Sequence, residues 1–553
     1  MGPTPIDRRM FLARAVGLAA AGLTLGTAPS AGASSPPVRR RRPGPPPPPV
    51  VETTLSSGLR VPSARWVVEE NAKPGTIGWV VTGVQTAGAI QGYASQVSAV
   101  QGDEVTLFVD TAAPSFHMEA YRMGFYQALG GRLVYRSDTV AGQRQPAPTV
   151  TPGVNMVQCQ WAPSLTFVVD ADWPPGCYLL KLVGPGGQPQ QYVPLTVRDD
   201  ASRAAYLFQN SVTTWQAYNL WGGYSLYYGQ RAGGGKDFAD RARIVSYDRP
   251  YPQTWAQGSA DFLGNEFPVL FQMESLGLDL AYWTDVDLHE QPEQLLAHRA
   301  LFSLGHDEYW SAEMREGAQA ALDSGVNLAF LGANACYRQI RFQGSTVGFD
   351  RQQICYKSAA EDPMVRVNPA LTTVNWEQPP VNRPESLLVG STYQSVGADA
   401  ALVVTDPSSW FFDGCGVTAG QSLPHVVQGE YDRYVPSLPG PENLDVIAHS
   451  PVPGQNSWSD ITYYTVPASG GGVLAVGAAS FVNKLSNTTA FPWNVVPKAI
   501  PGVTDILLRA MENVYGAFGN GPAGRTQRST GSWAAVYGGS SGSVGAPPGT
   551  NAA

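Results

Sequence analysis

Charged residues are scarce in this chain, 14% of 553, and cysteines number only five. The net charge is −8 and no basic face stands out in the folded part, which argues against nucleic acid as a partner. The apolar run near the amino terminus, about Val16 to Leu25, is too short and glycine-rich to span a bilayer, so no membrane span is expected. There is no GxSxG nucleophile context, no P-loop and no HExxH. Nor does any CxxC or Cys/His spacing mark structural zinc. What is plentiful is hydrophobic material, 43% of the chain with 14 Trp, 24 Tyr and 19 Phe, enough for the two or three domains that this length implies. Sixty Gly and 46 Pro favour turns and β-rich structure over long helices.

The amino-terminal stretch "DRRMFLARAVGLAAAGLTLGTAPSAGASS" pairs Arg8 with Arg9, continues into the apolar run and ends in a small-residue "AGA". It reads as a secretory signal of the twin-arginine type over 1–33, cleaved after Ala33. The expected location is therefore outside the cytoplasm: extracellular, cell-wall or periplasmic. Twin-arginine export carries folded proteins, often because a cofactor is inserted first, so the signal hints at a cofactor. Residues 34–54, with Arg39 to Arg42 and a proline run, read as an extended, solvated linker. Five cysteines in an exported chain leave at least one unpaired. Cys336 and Cys355, in short strand-like runs, are the expected pair if a disulfide exists. Cys159 and Cys177 are a second choice that leaves Cys415 free.

From 55 to 199 the sequence reads as short strands separated by turns, among them "IGWVVTG", "VTLFVDT", "FHMEAYRMGFY", "GRLVYRS" and "LTFVVD". This spacing predicts an antiparallel β-sandwich of immunoglobulin-like kind, able to bind carbohydrate or simply to pack on its neighbour. His117 reads as a satisfied strand residue. From 200 to 518 strands and helices alternate: "AAYLFQ" and "DLAYWT" as strands, "FPVLFQMESLGL" as a helix, then "ALFSLG", the helix "SAEMREGAQAALDSG" and the strand "VNLAFLG". Ser311 can cap the latter helix and Gly325 can end it. The alternation predicts an α/β domain with a largely parallel sheet. "VTDILLRAMENVYGAF" reads as a terminal helix, and residues 519–553 as a flexible tail.

In open α/β sheets ligands bind beyond the carboxyl ends of the strands. His306, Asp307 and Glu308 follow one predicted strand, Asn334 follows the next, and the tyrosine-rich "NSVTTWQAYNLWGGYSLYYG" follows the first. Three loops thus carry polar groups to one edge. Carboxylate and phenolate together suit a hard ion such as Fe(III) better than zinc. Each residue also has a plainer reading. Tyr218 and Tyr227 fit as core aromatics with a bonded hydroxyl, Glu308 as an acid near a helix N-terminus, and His306 as a turn residue.

"TWQAYN", "GGYSLY", "SLGHDEYWS", "FLGANACYRQIRF" and "QGEYDR", in this order, resemble the large (β) subunit of N,N-dimethylformamidase and its relatives over roughly Tyr206 to Phe518. The resemblance implies a catalytic α/β domain similar to class I glutamine amidotransferases, without their cysteine nucleophile. It implies a mononuclear non-haem iron (Fe3+) held by two tyrosines and a glutamate, which fall on Tyr218, Tyr227 and Glu308. Tyr228 next door leaves the register of the second tyrosine open. His306 and Asn334 match residues beside the metal or substrate, and Glu430 a further acidic group. The implied activity is hydrolysis of a small amide or formamide to acid plus amine, with His306 moving a proton and Asn334 donating to the oxyanion. A separate small subunit or a homo-oligomer is the implied assembly. The alternative is a secreted, catalytically silent protein that binds cell-wall polysaccharide or other carbohydrate on the same folds.

Overall fold

In the computed structural model, residues 51–83, 85–230, 236–486 and 499–538 are described. The expected signal over 1–33, residues 34–50 of the linker and residues 539–553 of the tail lie outside them. The last linker residues, Val51–Thr54, pair antiparallel with Arg60–Ser63.

A three-stranded sheet (Leu165–Val168, Glu104–Thr111, Ile90–Ala94) faces a larger one built on Gln190–Arg198, Gly176–Val183 and Ser115–Met123. Alternation of apolar and polar residues sends Val105, Leu107 and Val109 inward from one sheet and Met118, Ala120, Leu180 and Leu182 from the other, closing a common core. This part is a β-sandwich. "IGWVVTG", expected as a strand, forms turns and irregular chain instead. Trp79 and Val80 are nonetheless buried there, in a core shared with the next layer.

That layer is a seven-stranded sheet. In chain order its strands are β1 (Tyr206–Asn210), β2 (Leu280–Thr284), β3 (Ala300–Gly305), β4 (Asn327–Gly332), β5 (Asp445–Val452), β6 (Ser457–Thr465) and β7 (Gly472–Ala475). Their spatial order is β2-β1-β3-β4-β7-β6-β5. The first five in that order run parallel, and β6 and β5 continue antiparallel. Every residue of β1 to β4 is buried, as expected for strands covered on both faces. The helices are α1 (Val212–Tyr218), α2 (Phe267–Ser275), α3 (Asp285–Glu290), α4 (Ala312–Asp323) and α5 (Val503–Gly519). Ser311 caps α4, its side chain accepting from the Met314 N–H. "PEQLLA" forms a 3-10 segment, Pro292–Ala297, ahead of β3. Two 12-residue strands, Thr392–Val403 and Ser422–Arg433, form a bulged hairpin.

After α5 the chain stays folded. Ala523 and Ser529 are buried, and Trp533 and Tyr537 pack on Tyr434, so packed structure extends past Phe518 into the expected tail. Among the described residues no helix is long and apolar enough to cross a membrane.

The sandwich and the central sheet belong to one compact unit and are pinned by a buried ion pair. Arg122, on strand Ser115–Met123, forks onto Glu274 of α2 with Nη1–Oε2 2.9 Å and Nη2–Oε1 2.7 Å, both side chains fully buried. Tyr282 and Asn71 also donate to Glu274. Removing one partner strands the other charge, so Glu274→Ala should lower stability by about 3–5 kcal/mol, whereas Arg122→Met with Glu274→Leu should recover much of the loss. Equal Tm values for single and double variants would show the pair is not carrying this contact.

The expected Cys336–Cys355 bond is absent. All five cysteines are free thiols, and the two lie in different apolar clusters, Cys336 beneath β4 with Trp376 and Cys355 beside Tyr309 and Ile340. Similar local strand character said nothing about their separation in space. Cys159 and Cys177 are likewise unpaired and buried. Thiol titration of the native protein should detect at most Cys415 rapidly and all five after denaturation. Peptide mapping without reduction should find no linked pair.

Candidate functional site

The strand order places a switch point between β1 and β3, where connections leave in opposite directions and a crevice opens. The segments after these two strands and after β4 carry most of the site. Gly305, the last residue of β3, has φ +60°, and a Cβ there would lie 2.5 Å from that of Asn265. At Gly332, the end of β4, a Cβ would lie 1.5 Å from the Gly305 carbonyl oxygen. Glycine at both ends lets the two strand termini close up and turn their following residues into one place.

Tyr218 does not lie in a loop, as the sequence suggested, but ends helix α1. That helix has no local cap: the Ser211 N–H donates to Glu266 (3.1 Å) and the Thr213 N–H to Asp285 (3.0 Å). Both acids are buried, and burial pushes both well above the usual carboxylate range. The helix's free N–H groups are thus satisfied by residues more than 50 positions away. After α1 the chain folds back. Arg249 binds the carbonyls of Asn219, Trp221 and Tyr224, and the Leu226 N–H meets the Ala217 carbonyl at 2.9 Å. Tyr227 then stacks on Tyr218, ring centroids 4.4 Å apart. Tyr228 points elsewhere and is 40% exposed.

The two phenol oxygens are 2.9 Å apart and converge on Glu308. Tyr218 Oη lies 2.9 Å from Oε2, and Tyr227 Oη 2.7 and 2.8 Å from Oε1 and Oε2. Glu308 is fully buried. Burial pushes its carboxyl up, but Arg338, Lys357 and His306 outweigh this and hold it below the usual range. Arg338 Nε donates to Oε1 at 2.7 Å. Burial, reinforced by the Glu308 charge, raises both phenols well above their ordinary value. His306 Nε2 lies 3.0 Å from Glu430 Oε2 and 3.4 Å from Glu308 Oε2. Burial pushes the imidazole down, and the Glu430 carboxylate reverses this, holding it at about 10. Asn334 donates from Nδ2 to Glu430 Oε2 at 2.8 Å, while its Oδ1 is buried without a partner.

All six residues singled out from the sequence therefore meet in one cluster, Glu430 arriving on the long hairpin. Asp307 turns the other way, accepting from Gln209, Ser303 and Trp310 and bracing the turn. Four contributors were not singled out from the sequence, although Tyr309, Arg338 and Asp432 lie within the motifs quoted for the resemblance. Arg338 pairs with Glu308. Asp432 accepts the Asn334 N–H at 2.8 and 2.9 Å and holds that residue at φ +59°. Lys357 Nζ stands 3.1 Å above the Tyr227 ring centroid without a hydrogen-bond partner. Tyr309 lies beneath, its hydroxyl also unpartnered.

Among the described residues no three His, Cys, Asp or Glu side chains are grouped to hold a metal ion. The cluster at Glu308 is of another kind, drawing two of its three oxygens from phenols. Three hard oxygen donors from three side chains within 2.9 Å of one another fit a hard trivalent ion.

The fold and site define a sheet-rich, mixed α/β protein with a buried two-phenol, one-carboxylate cluster at a strand switch point. The chain belongs to the N,N-dimethylformamidase beta subunit-like, C-terminal family, whose profile matches residues 117–491. The match contains all six site residues and begins within the sandwich, earlier than the Tyr206 start of the sequence resemblance. No curated protein matches the chain. Among solved structures, one of the bacterial superantigen toxic shock syndrome toxin-1 is similar at 15% identity, covering 20% of this chain and 99% of that one, with a TM-score of 0.13. A chimeric titin Z1Z2 tandem carrying a fibronectin-derived GRGDS peptide is similar at 16% identity, covering 22% and 54%, with a TM-score of 0.11. Neither bears on the fold.

The close approach of the strand ends makes a direct test. Gly332→Ala should cost at least about 1–3 kcal/mol by overpacking, because the nearest atom is backbone and cannot rotate away. A variant with wild-type Tm would show that the approach is looser than described.

Proposed function

We propose that this protein is an exported, iron-dependent amidohydrolase that cleaves a small amide or formamide to acid plus amine. The observation that carries this reading is the convergence of Tyr218, Tyr227 and Glu308 beside the His306–Glu430 pair, within a chain of the N,N-dimethylformamidase beta subunit-like family. Tyr218, Tyr227 and Glu308 would hold the ion. When bound, Fe(III) supplies Lewis acidity toward an amide carbonyl and toward water.

The chain's own groups supply the rest. His306, protonated and held on Glu430 Oε2, is placed to give its Nε2 proton to the departing amine. Asn334 spends one Nδ2 hydrogen on Glu430 and keeps the other to donate to the developing oxyanion. Asp432 fixes the Asn334 backbone so that this side chain faces the cluster. Arg338 orients Glu308 from outside the phenol pair.

Twin-arginine export belongs to the same reading. Five free thiols suit a chain that folds in a reducing compartment before export. The strand order of the central sheet supports kinship with the class I glutamine amidotransferase fold, and the two-sheet sandwich with immunoglobulin-like modules. The family's beta-subunit name supports a partner small subunit or self-association.

Protein purified without chelators should carry about one iron per chain and a visible tyrosinate charge-transfer band. Tyr218→Phe and Tyr227→Phe should weaken the band, and Tyr228→Phe should leave it unchanged. Glu308→Ala should lose metal and turnover together. His306→Ala should keep iron and lose about 10²–10⁴-fold in turnover. A colourless, zinc-loaded protein would overturn the metal assignment, and an iron-loaded protein that hydrolyses no amide in a broad screen would overturn the reaction.

A further inference from the structure

The Glu308 side chain has no exposed surface, whereas those of His306, Glu430 and Arg338 keep 13%, 17% and 18% of theirs. Solvent, and with it a substrate, reaches the cluster past these three groups. Tyr393 joins the two segments that carry Glu430 and Arg338. It lies on the hairpin strand Thr392–Val403, paired directly with Asp432 of Ser422–Arg433. Directly paired residues of an antiparallel ladder project from the same face, and Asp432 faces Asn334, whose N–H it accepts. Glu430, two residues before Asp432, is on that face as well and meets His306 and Asn334. The Tyr393 side chain is thus turned the same way as Glu430. Its ring packs on Tyr337, with centroids 5.1 Å apart. Tyr337 is buried and held: its hydroxyl accepts from Asn375 at 2.7 Å, and Asn375 in turn accepts from Arg338. The Arg338 guanidinium also lies 5.1 Å from the Tyr337 ring centroid. Tyr393, the outer ring of the pair, is only half-buried. Burial pushes its phenol up, and the charges of Glu430 and Glu308 add to the rise, which agrees with a ring beside the approach to both carboxylates.

We propose that Tyr393 is a specificity-determining residue: its ring, backed by Tyr337, bounds the space beside Glu430 and His306 and limits the size of the substituents on the departing amine. The inference rests on the amidohydrolase reading, because the proton on His306 is what draws the amine to this end of the site. Two aromatic rings offer apolar surface to short N-alkyl groups. A ring whose neighbour is tied through Asn375 to Arg338 cannot sink inward to make room for long ones.

The test compares two amides that differ only in N-alkyl length, N,N-dimethylformamide and N,N-dibutylformamide, on the iron-loaded full chain. Tyr393→Ala should raise the kcat/KM ratio of the dibutyl to the dimethyl compound by about tenfold or more, the scale of discrimination that methylenes carry in an apolar pocket. Tyr393→Phe keeps the ring and should shift the ratio far less; an equal shift in both variants would overturn the role of the ring. A residue that only supports the fold would lower both substrates alike, so an unchanged ratio in Tyr393→Ala would overturn the inference. Should that variant fail to fold, Tyr393→Val, whose β-branched side chain suits a strand, makes the same comparison. Binding separates this inference from the reaction itself. If the wild-type chain hydrolyses neither amide, the reaction reading falls, and calorimetric affinities for the two amides decide the role of Tyr393. Tyr393→Ala should then favour the dibutyl compound by a similar factor. Equal relative affinities in variant and wild type, or no binding of either amide, would overturn it.

Discussion

A carboxylate with no exposed surface must be surrounded by donors and cations, and Glu308 imposes that requirement on everything near it. Left alone in the interior it would take up a proton. Its ionised state is maintained by Arg338 at 2.7 Å, by the His306 imidazole and by two phenols; Lys357 stands nearby, but burial pushes its own amine well below the ordinary value. These five groups come from the segments after β1, β3 and β4, so the charge of one residue fixes how those segments must fold together. The cations beside Glu308 are themselves half-buried and lean on it. Arg338 is held well above its ordinary value by Tyr227 and Glu308 against its burial. Neither side of this pairing is stable in the interior without the other.

The sandwich is part of this scaffold. Its Thr196 hydroxyl donates to Asn210 Oδ1 at 2.8 Å, and the Cys177 thiol approaches the same oxygen at 3.2 Å. The Asn210 amide in turn donates to Glu266, the acid that caps α1. A chain of buried polar contacts thus runs from the sandwich to the helix that ends in Tyr218. The family match, over residues 117–491, contains both ends of this chain of contacts and of the Arg122–Glu274 fork. The boundary drawn at 199 from sequence texture divides elements that share one core.

Strand and helix periodicity made β1 to β4, α2, α4 and α5 legible, because each is a continuous apolar run or an amphipathic stretch with its own end signals. The placement of His306, Glu308 and Asn334 at strand ends followed from that alternation alone. What stayed hidden depended on distant partners. Helix α1 is capped by Glu266 and Asp285, so no residue beside it announces its start. Arg338 and Lys357 look like ordinary charged residues until burial brings them to Glu308. The Cys336–Cys355 expectation failed for the same reason in reverse, since resemblance between two local contexts carries no information about the distance between them.

The tyrosine pair shows how a rigid site arises from a flexible-looking sequence. Tyr218 and Tyr227 flank a stretch with two adjacent glycines, Gly222 and Gly223, both at positive φ, which by itself has no fixed course. Its geometry is imposed by three carbonyls converging on Arg249 and by the Leu226–Ala217 bond that returns the chain to the helix it left. A phenol at the end of a helix and a second phenol on the returning segment can then stack and present both oxygens to one carboxylate. The position of the second oxygen is set by Arg249, which touches neither tyrosine's hydroxyl. Precision at the cluster is therefore inherited from a buried guanidinium, and the loop's own sequence contributes mainly the freedom to be so arranged.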